Sequence, residues 1–176
     1  NLVGDAVAAV GLAAYRAFEQ PLNTDGTPAT KPPGVHLAAL SSPSPQVRAA
    51  GCAGCHKGSG PGPERIGSGP GPERIAPAAS VRAKLVELVK DDNPVVHNAA
   101  IDALDEVAPG DPEGFALAFA SIFYELQVHA CELCGKRRDQ KGIAPAQRIL
   151  SIPKTDQNRP ADSFRHRAAR ALADIG

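Results

Sequence analysis

Residues 96–104 read VHNAAIDAL, and the same arrangement of side chains returns as VRAAGCAGC at 47–55 and as FRHRAARAL at 164–172. Each segment opens with an apolar residue and then a basic one. Small residues follow four and seven positions after the first, and an apolar or cysteine side chain comes at the eighth. These offsets fall on one stripe of an α-helix. Because small side chains allow close approach, the pattern predicts three helices packed tightly against neighbours.

Helix-breaking residues precede all three segments: SPSP at 42–45, DDNP at 91–94 and NRPADS at 158–163. Ser, Asp and Asn side chains cap helix N-termini, and proline is tolerated in the first turn of a helix. Ahead of the second breaker, SVRAKLVELVK at 80–90 has the periodicity of a further helix. The sequence therefore predicts pairs of helices joined by proline-containing turns.

A helix, a proline-containing turn and a second helix at this spacing resemble a HEAT repeat of the armadillo type. The resemblance is strongest over 80–107 and 162–176 and weaker over 37–56, where Gly51 and Cys55 replace the usual alanine and leucine. It implies helix pairs that stack into an α-solenoid. A generic alanine-rich helix bundle would show the same pattern, so that alternative stays open.

The composition favours an all-α fold. Hydrophobic residues make up 43% of the chain, whereas aromatic residues make up only 4%, and Trp and Met are absent. Strands favour β-branched and aromatic residues, whereas an alanine-rich core suits closely packed helices. We therefore expect a short, irregular HEAT-like solenoid of helical pairs with loop insertions.

We expect residues 1–176 to form a single α-helical domain with three irregular parts. A Pro/Gly-rich linker spans 20–35, and a Gly/Pro-rich loop spans 57–79, where GSGPGPERI occurs twice in succession. An insertion over 108–145 separates the second and third segments. Before the linker, 2–19 has helical periodicity.

Two Cys-x-x-Cys pairs, Cys52/Cys55 and Cys131/Cys134, contain all four cysteines of the chain. Four thiolates in two such pairs are typical of a tetrahedral structural zinc site. Gly135 follows the second pair, and that segment resembles a zinc knuckle. Iron could use the same four ligands, His129 is an alternative ligand, and unligated thiols are the remaining alternative.

The first pair also supports a haem interpretation, because Cys52, Cys55 and His56 form the Cys-x-x-Cys-His attachment signature of c-type haem. The thiols would form thioethers and His56 would ligate the iron. Without methionine, the second axial ligand would have to be a histidine: His36, His97 or His129. In the absence of haem, His97 and His166 are expected at the surface.

Charge is distributed unevenly along a chain of zero net charge. Residues 1–130 carry 9 Lys and Arg against 14 Asp and Glu, whereas 131–176 carry 10 against 5. The basic end could bind nucleic acid, a reading that rests on spatial clustering of its cations. The candidate residues are Lys136, Arg137, Arg138, Lys141, Arg165, Arg167 and Arg170.

The leading functional prediction is a scaffold that binds another protein and carries a structural four-cysteine zinc site. A monohaem electron carrier and a nucleic-acid-binding protein are the alternatives. Enzyme motifs such as Gly-x-Ser-x-Gly, His-Glu-x-x-His and a dinucleotide fingerprint are absent from the sequence, which favours a non-catalytic protein. No apolar run approaches the roughly 20 residues of a membrane span. With no signal-peptide pattern, we expect a cytoplasmic location; attached haem would instead indicate the periplasm or cell exterior.

Overall fold

The computed structural model describes residues 12–13, 35–56, 72–153 and 160–176. Within these ranges every regular element is helical and no strand occurs, which confirms the all-α class. The chain divides into two compact units, unit 1 (Asn1–Val107) and unit 2 (Ala108–Gly176). The described helices are α1 (Val35–Leu40), α2 (Pro45–His56), α3 (Pro72–Leu88), α4 (Pro94–Val107), α5 (Pro112–Ala120), α6 (Tyr124–Arg137), α7 (Ile143–Ser151) and α8 (Asp162–Ile175), with a 3-10 turn at Gln140–Gly142.

Three predicted segments in the N-terminal half lie largely outside the described residues: the helix at 2–19, the linker at 20–35 and the loop at 57–79. Within the first of these, Leu12 and Ala13 are described and are helical. The loop predicted for 57–79 is too long at its C-terminal end, because α3 begins at Pro72. Proline is compatible with the first turn of a helix, so the proline-rich composition was a misleading signal at this position.

Unit 1 contains two successive helical hairpins, α1/α2 and α3/α4. The second helices, α2 and α4, pack against each other, and the first helices, α1 and α3, are also in contact. Gly51 permits the close packing within the first hairpin, since a Cβ at this position would lie 3.0 Å from Ala39 Cβ and 3.1 Å from the Leu40 nitrogen. The wholly buried apolar side chains include Leu40, Leu85, Val96, Ile101 and Leu104.

The basic residue of the repeated segment binds the turn between the helices of each hairpin in unit 1. Arg48 donates to the carbonyl oxygens of Ser42 and Pro43, both at 3.0 Å, and its Nε and Nη2 each lie 2.8 Å from Asp91 Oδ2. His97 Nδ1 lies 2.9 Å from the Asp91 carbonyl oxygen. The prediction that His97 lies at the surface is wrong, because its side chain is completely buried. The imidazole contacts a turn carbonyl within the fold, and buried polar groups of this kind are usually paired.

Unit 2 contains four helices, α5 to α8. The sequence had suggested only an insertion followed by the final helix. Residues 112–130 contain three of the five phenylalanines of the chain and are divided into two helices at Ser121. The backbone of Ser121 is extended, and its Oγ accepts a hydrogen bond from the Phe123 nitrogen at 3.1 Å. Asp111 caps α5 by accepting from the backbone nitrogens of Glu113 and Gly114. Helix α6 continues to Arg137 and α7 begins at Ile143, so only a short segment containing the 3-10 turn separates them.

The packing of unit 2 is organised around α6 and α8, which run in the same direction. Glu132 on α6 meets Arg167 on α8, and one turn further along Gly135 meets Ala171. A Cβ on Gly135 would lie 3.2 Å from the Ala171 carbonyl oxygen, so glycine permits the close approach of these helices. The core joins α6, α7 and α8 through Val128, Cys131, Ala146, Ile149, Ala168 and Ala171.

The turn-binding position of unit 1 recurs in both hairpins of unit 2. Arg165 donates to the carbonyl oxygens of Leu150 and Ile152 at 2.8 and 2.7 Å. Gln127 Nε2 donates to the Ser121 carbonyl oxygen at 2.5 Å. Gln127 stands one residue after the buried Leu126 and three before the buried Ala130, as Arg48 and His97 stand relative to their own buried neighbours. Helix α6 thus repeats the turn-binding contact, although its donor is uncharged and Leu133 occupies the position where the other segments have a small residue.

Candidate functional site

The first cysteine pair lies on α2 in unit 1. Cys52 is completely buried, and burial together with the adjacent Cys55 and Asp91 raises the pKa of its thiol to about 12. Cys55 is half-buried, with its Sγ 3.4 Å from the Gly51 carbonyl oxygen. The raised pKa favours the neutral thiol of Cys52, whereas ligation of a metal would require the thiolate.

The second pair lies on α6 in unit 2, and both of its thiols are completely buried. Cys131 belongs to the apolar core cluster of unit 2, and burial raises the pKa of its thiol to about 12. The pKa of Cys134 is also raised to about 12 by burial and by nearby Asp139. A Cβ on Gly142 would lie 2.7 Å from Cys134 Cβ, so the 3-10 turn covers this cysteine closely.

The segment that resembles a zinc knuckle is helical in the structure. Helix α6 continues through Cys134 and Gly135 to Arg137, and Arg138 ends it with φ 55°. Gly135 is required for contact with α8, which gives this glycine a packing role.

The predicted four-thiolate site would take two ligands from each unit. The described residues include no group of three or more His, Cys, Asp or Glu side chains that could hold a metal ion. No disulfide bond joins any of the four cysteines, all of which lie among the described residues. Closed zinc sites use four ligands, twice what either pair supplies alone. A site for zinc or iron built from Cys52, Cys55, Cys131 and Cys134 therefore stays a prediction.

The haem interpretation fits the surroundings of its first thiol poorly. Thioether formation needs both thiols to reach the porphyrin edge, and Cys52 is completely buried within unit 1. His97, one candidate for the second axial ligand, is also completely buried and contacts a turn carbonyl. The side chains of His36 and His56 lie outside the described part of the structure.

His129, the alternative metal ligand, belongs to a charged cluster on the surface where α6 meets α8. Its Nδ1 lies 3.6 Å from Glu132 Oε2. Glu132 in turn receives two hydrogen bonds from Arg167, of 2.7 and 2.6 Å. Arg167 lowers the pKa of Glu132, while that carboxylate raises the pKa of Arg167. A bidentate pair of this kind fixes the register of the two helices. Glu132 was not among the residues predicted for the site, although its spacing of three from His129 is compatible with a contact on one helix face.

The seven cations proposed as a basic patch divide into two groups. Arg165 binds turn carbonyls, Arg167 pairs with Glu132, and the guanidinium of Arg137 lies 4.8 Å from the centroid of the Phe115 ring. These three have structural partners within unit 2. The other four side chains are exposed: Lys136, Arg138, Lys141 and Arg170.

Comparison with known proteins gave no match to a protein family, a curated protein or a solved structure. Among the described residues, every helix is too short or too polar to cross a bilayer. The site is therefore interpreted from its own geometry.

Proposed function

We propose that this protein is a small HEAT-like scaffold that binds another protein through a helical face. The observation that carries the proposal is the packing order within unit 1. Two successive hairpins lie side by side, with second helix against second helix and first against first. Stacks of this kind commonly present extended faces to partners, although this step from fold to function rests on analogy.

The recurring bond between each second helix and its preceding turn supports the repeat interpretation. Arg48, His97, Gln127 and Arg165 occupy the same position in four hairpins and use three different chemical groups as donors. A generic bundle has no reason to repeat the same bond at the same helix position. The recurrence therefore favours hairpins built on one plan.

The proposed binding face is the side of α4 formed by Val95, Ala99, Asp102 and Glu106. Their spacings of four, three and four residues place them on one side of the helix. Val95 and Glu106 are exposed, and Ala99 and Asp102 are half-buried. Val95 is 64% exposed, which is unusual for a large apolar side chain. The opposite side of α4 is in the core of unit 1, where Val96, Ala100 and Leu104 are completely buried.

Partner capture followed by reconstitution tests the proposal. A protein recovered with the full chain by crosslinking should bind it again as a purified component. We expect Val95→Arg to weaken that binding at least tenfold, because a charge replaces the large apolar side chain of the proposed face. Ile122→Arg is the matched control, since Ile122 is 85% exposed but lies in unit 2. If no purified component binds again, or if both variants weaken binding equally, the proposed face is wrong.

The zinc site is a separate part of the proposal, with a structural role that depends on four thiolates. Elemental analysis of the native protein provides its test. One equivalent of zinc, lost in Cys131→Ser, would support the site, whereas metal-free protein with the same helical content would contradict it.

A further inference from the structure

We propose that unit 2 binds the phosphate backbone of a nucleic-acid duplex through a surface at the C-terminal end of α6. This α6-end surface consists of Lys136, Arg138, Lys141 and Arg170. It differs from the proposed binding face on α4 and does not depend on the scaffold proposal.

The cations of the α6-end surface come from the end of α6, the turn after it and the neighbouring helix α8. Lys136, Arg138 and Lys141 fall within six consecutive residues, at the end of α6 and in the 3-10 turn that follows. Arg170 on α8 precedes Ala171, whose carbonyl oxygen would lie 3.2 Å from a Cβ on Gly135. In the part of the chain that the structure describes, none of these four side chains forms an ion pair or a hydrogen bond. Their charge is thus available to a ligand.

The backbone holds Arg138 in an unusual position. Arg138 has φ 55°, in the left-handed region, and its nitrogen donates to the Gly135 carbonyl oxygen. Glycine is the usual residue where a helix ends in this way, because a side chain adds strain. Arginine here places an exposed guanidinium beside two exposed lysines, which local stability alone does not require.

Acidic side chains at the same end only partly offset this charge. Asp139 Oδ1 accepts a hydrogen bond from the Lys141 nitrogen, so this carboxylate caps the 3-10 turn. Asp174 is exposed on α8, and a Cβ on Gly135 would lie 3.2 Å from its Cβ. Four exposed cations against these two carboxylates leave the surface positive.

The part of the chain that the structure describes has no exposed aromatic side chain, which favours a duplex over a single strand. Among the described residues, the large hydrophobic side chains that are exposed are Val95, Val107 and Ile122, none of them aromatic. Single-strand binding relies on stacking of bases against aromatic rings. Duplex phosphates can be bound by flexible cations alone, without sequence readout and with strong dependence on salt.

The test is fluorescence anisotropy of the full chain with a labelled 20-base-pair duplex over a range of salt concentrations. Each phosphate neutralised contributes about −0.9 to the slope of log K against log salt, so four contacts predict a slope of roughly −3 to −4. We expect Lys136→Gln/Lys141→Gln to reduce the magnitude of that slope by about 2 and to weaken binding at low salt at least tenfold. The control, Lys84→Gln/Lys90→Gln, removes the same charge from unit 1 and should leave the slope unchanged.

Several results would overturn the proposal. These are absence of binding at low salt, an unchanged slope in the unit 2 variant, and equal losses in the two variants. Tighter binding of a single strand would contradict the phosphate-only mechanism. Preference for polyglutamate over the duplex would assign the surface to an acidic protein instead. Circular dichroism of both variants should match that of the original chain, because the four substituted lysines are outside the core.

Discussion

Cys131 belongs to the apolar core of unit 2, independently of any role as a metal ligand. It is completely buried beside Val128 and Ile149. We expect Cys131→Ser to lower the free energy of unfolding by about 1–3 kcal/mol, because it buries a hydroxyl in an apolar cluster. Urea denaturation measures the change, and Cys55→Ser, at a half-buried position, should lower it by less.

A chelator separates packing from metal binding in that experiment. If packing accounts for the loss, Cys131→Ser should destabilise the protein equally with and without the chelator. If a shared zinc ion accounts for it, the chelator should destabilise the original chain and abolish most of the difference between the two proteins.

Glu132 predicts a dependence of stability on acid. Its pKa is lowered, first by the hydrogen bonds from Arg167 and also by the charges of Arg167 and His129. The stabilisation is therefore present above the pKa of an unfolded glutamate and is lost as pH falls through the lower pKa of the folded state. Glu125 also faces Arg167 and adds to the attraction.

We expect Glu132→Gln to remove roughly 1 kcal/mol of unfolding free energy at pH 7 and to flatten its decline below pH 5. Urea denaturation at several pH values measures both effects. Glu87→Gln is the control, because Glu87 pairs with Lys84 on an exposed surface of α3. Equal flattening in the two variants would show that Glu132 has no special role.

At the scale of single helices, the close packing at Gly51 and the helix propensity of alanine predict opposite effects of Gly51→Ala on stability. Alanine exceeds glycine in helix propensity by about 1 kcal/mol, so propensity alone predicts that Gly51→Ala is stabilising. A Cβ there would lie 3.1 Å from the backbone nitrogen of Leu40, which cannot yield as a flexible side chain could. We expect a net loss of about 1–3 kcal/mol in urea denaturation. An increase in stability would show that α1 does not pack this closely on α2.

Sequence periodicity predicted α2, α4 and α8 well, because each combines a proline-containing turn with a complete apolar and small-residue stripe. The related contact in α6 escaped detection because Gln127 is uncharged and because Leu133 replaces the small residue of the other segments. The loop prediction was also wrong at Pro72, because this proline begins a helix. Proline marks both loops and helix beginnings, and composition alone does not separate them.

The candidate site was harder to predict than the helices. Spacing identified both cysteine pairs, but it carries no information about burial, and Cys52, Cys131 and Cys134 are completely buried. The basic end was found from charge alone. Some of its cations are exposed and others have structural partners. Those partners are carbonyls and carboxylates, such as Glu132, which lie beside the cations only in the folded chain. The division into two compact units was also not predicted, because the sequence was interpreted as a single domain.

At the scale of the whole molecule, unit 2 should fold without unit 1. Its core cluster and the bonds Arg148–Phe119, Arg165–Leu150 and Arg167–Glu132 are all internal to residues 108–176. We expect this fragment to be helical and to unfold cooperatively in circular dichroism, although a domain of this size is only marginally stable.

The matched control for unit 2 is a fragment of residues 108–153, which keeps α5, α6 and α7 but lacks α8. It should show no cooperative transition, because Ala168 and Ala171 of α8 complete the core around Cys131. Cooperative unfolding of 108–176 in the presence of a chelator would show that the second cysteine pair needs neither metal nor the first pair to be held in place. If 108–176 instead unfolds without a transition until zinc and unit 1 are supplied, the shared four-thiolate site gains its strongest support.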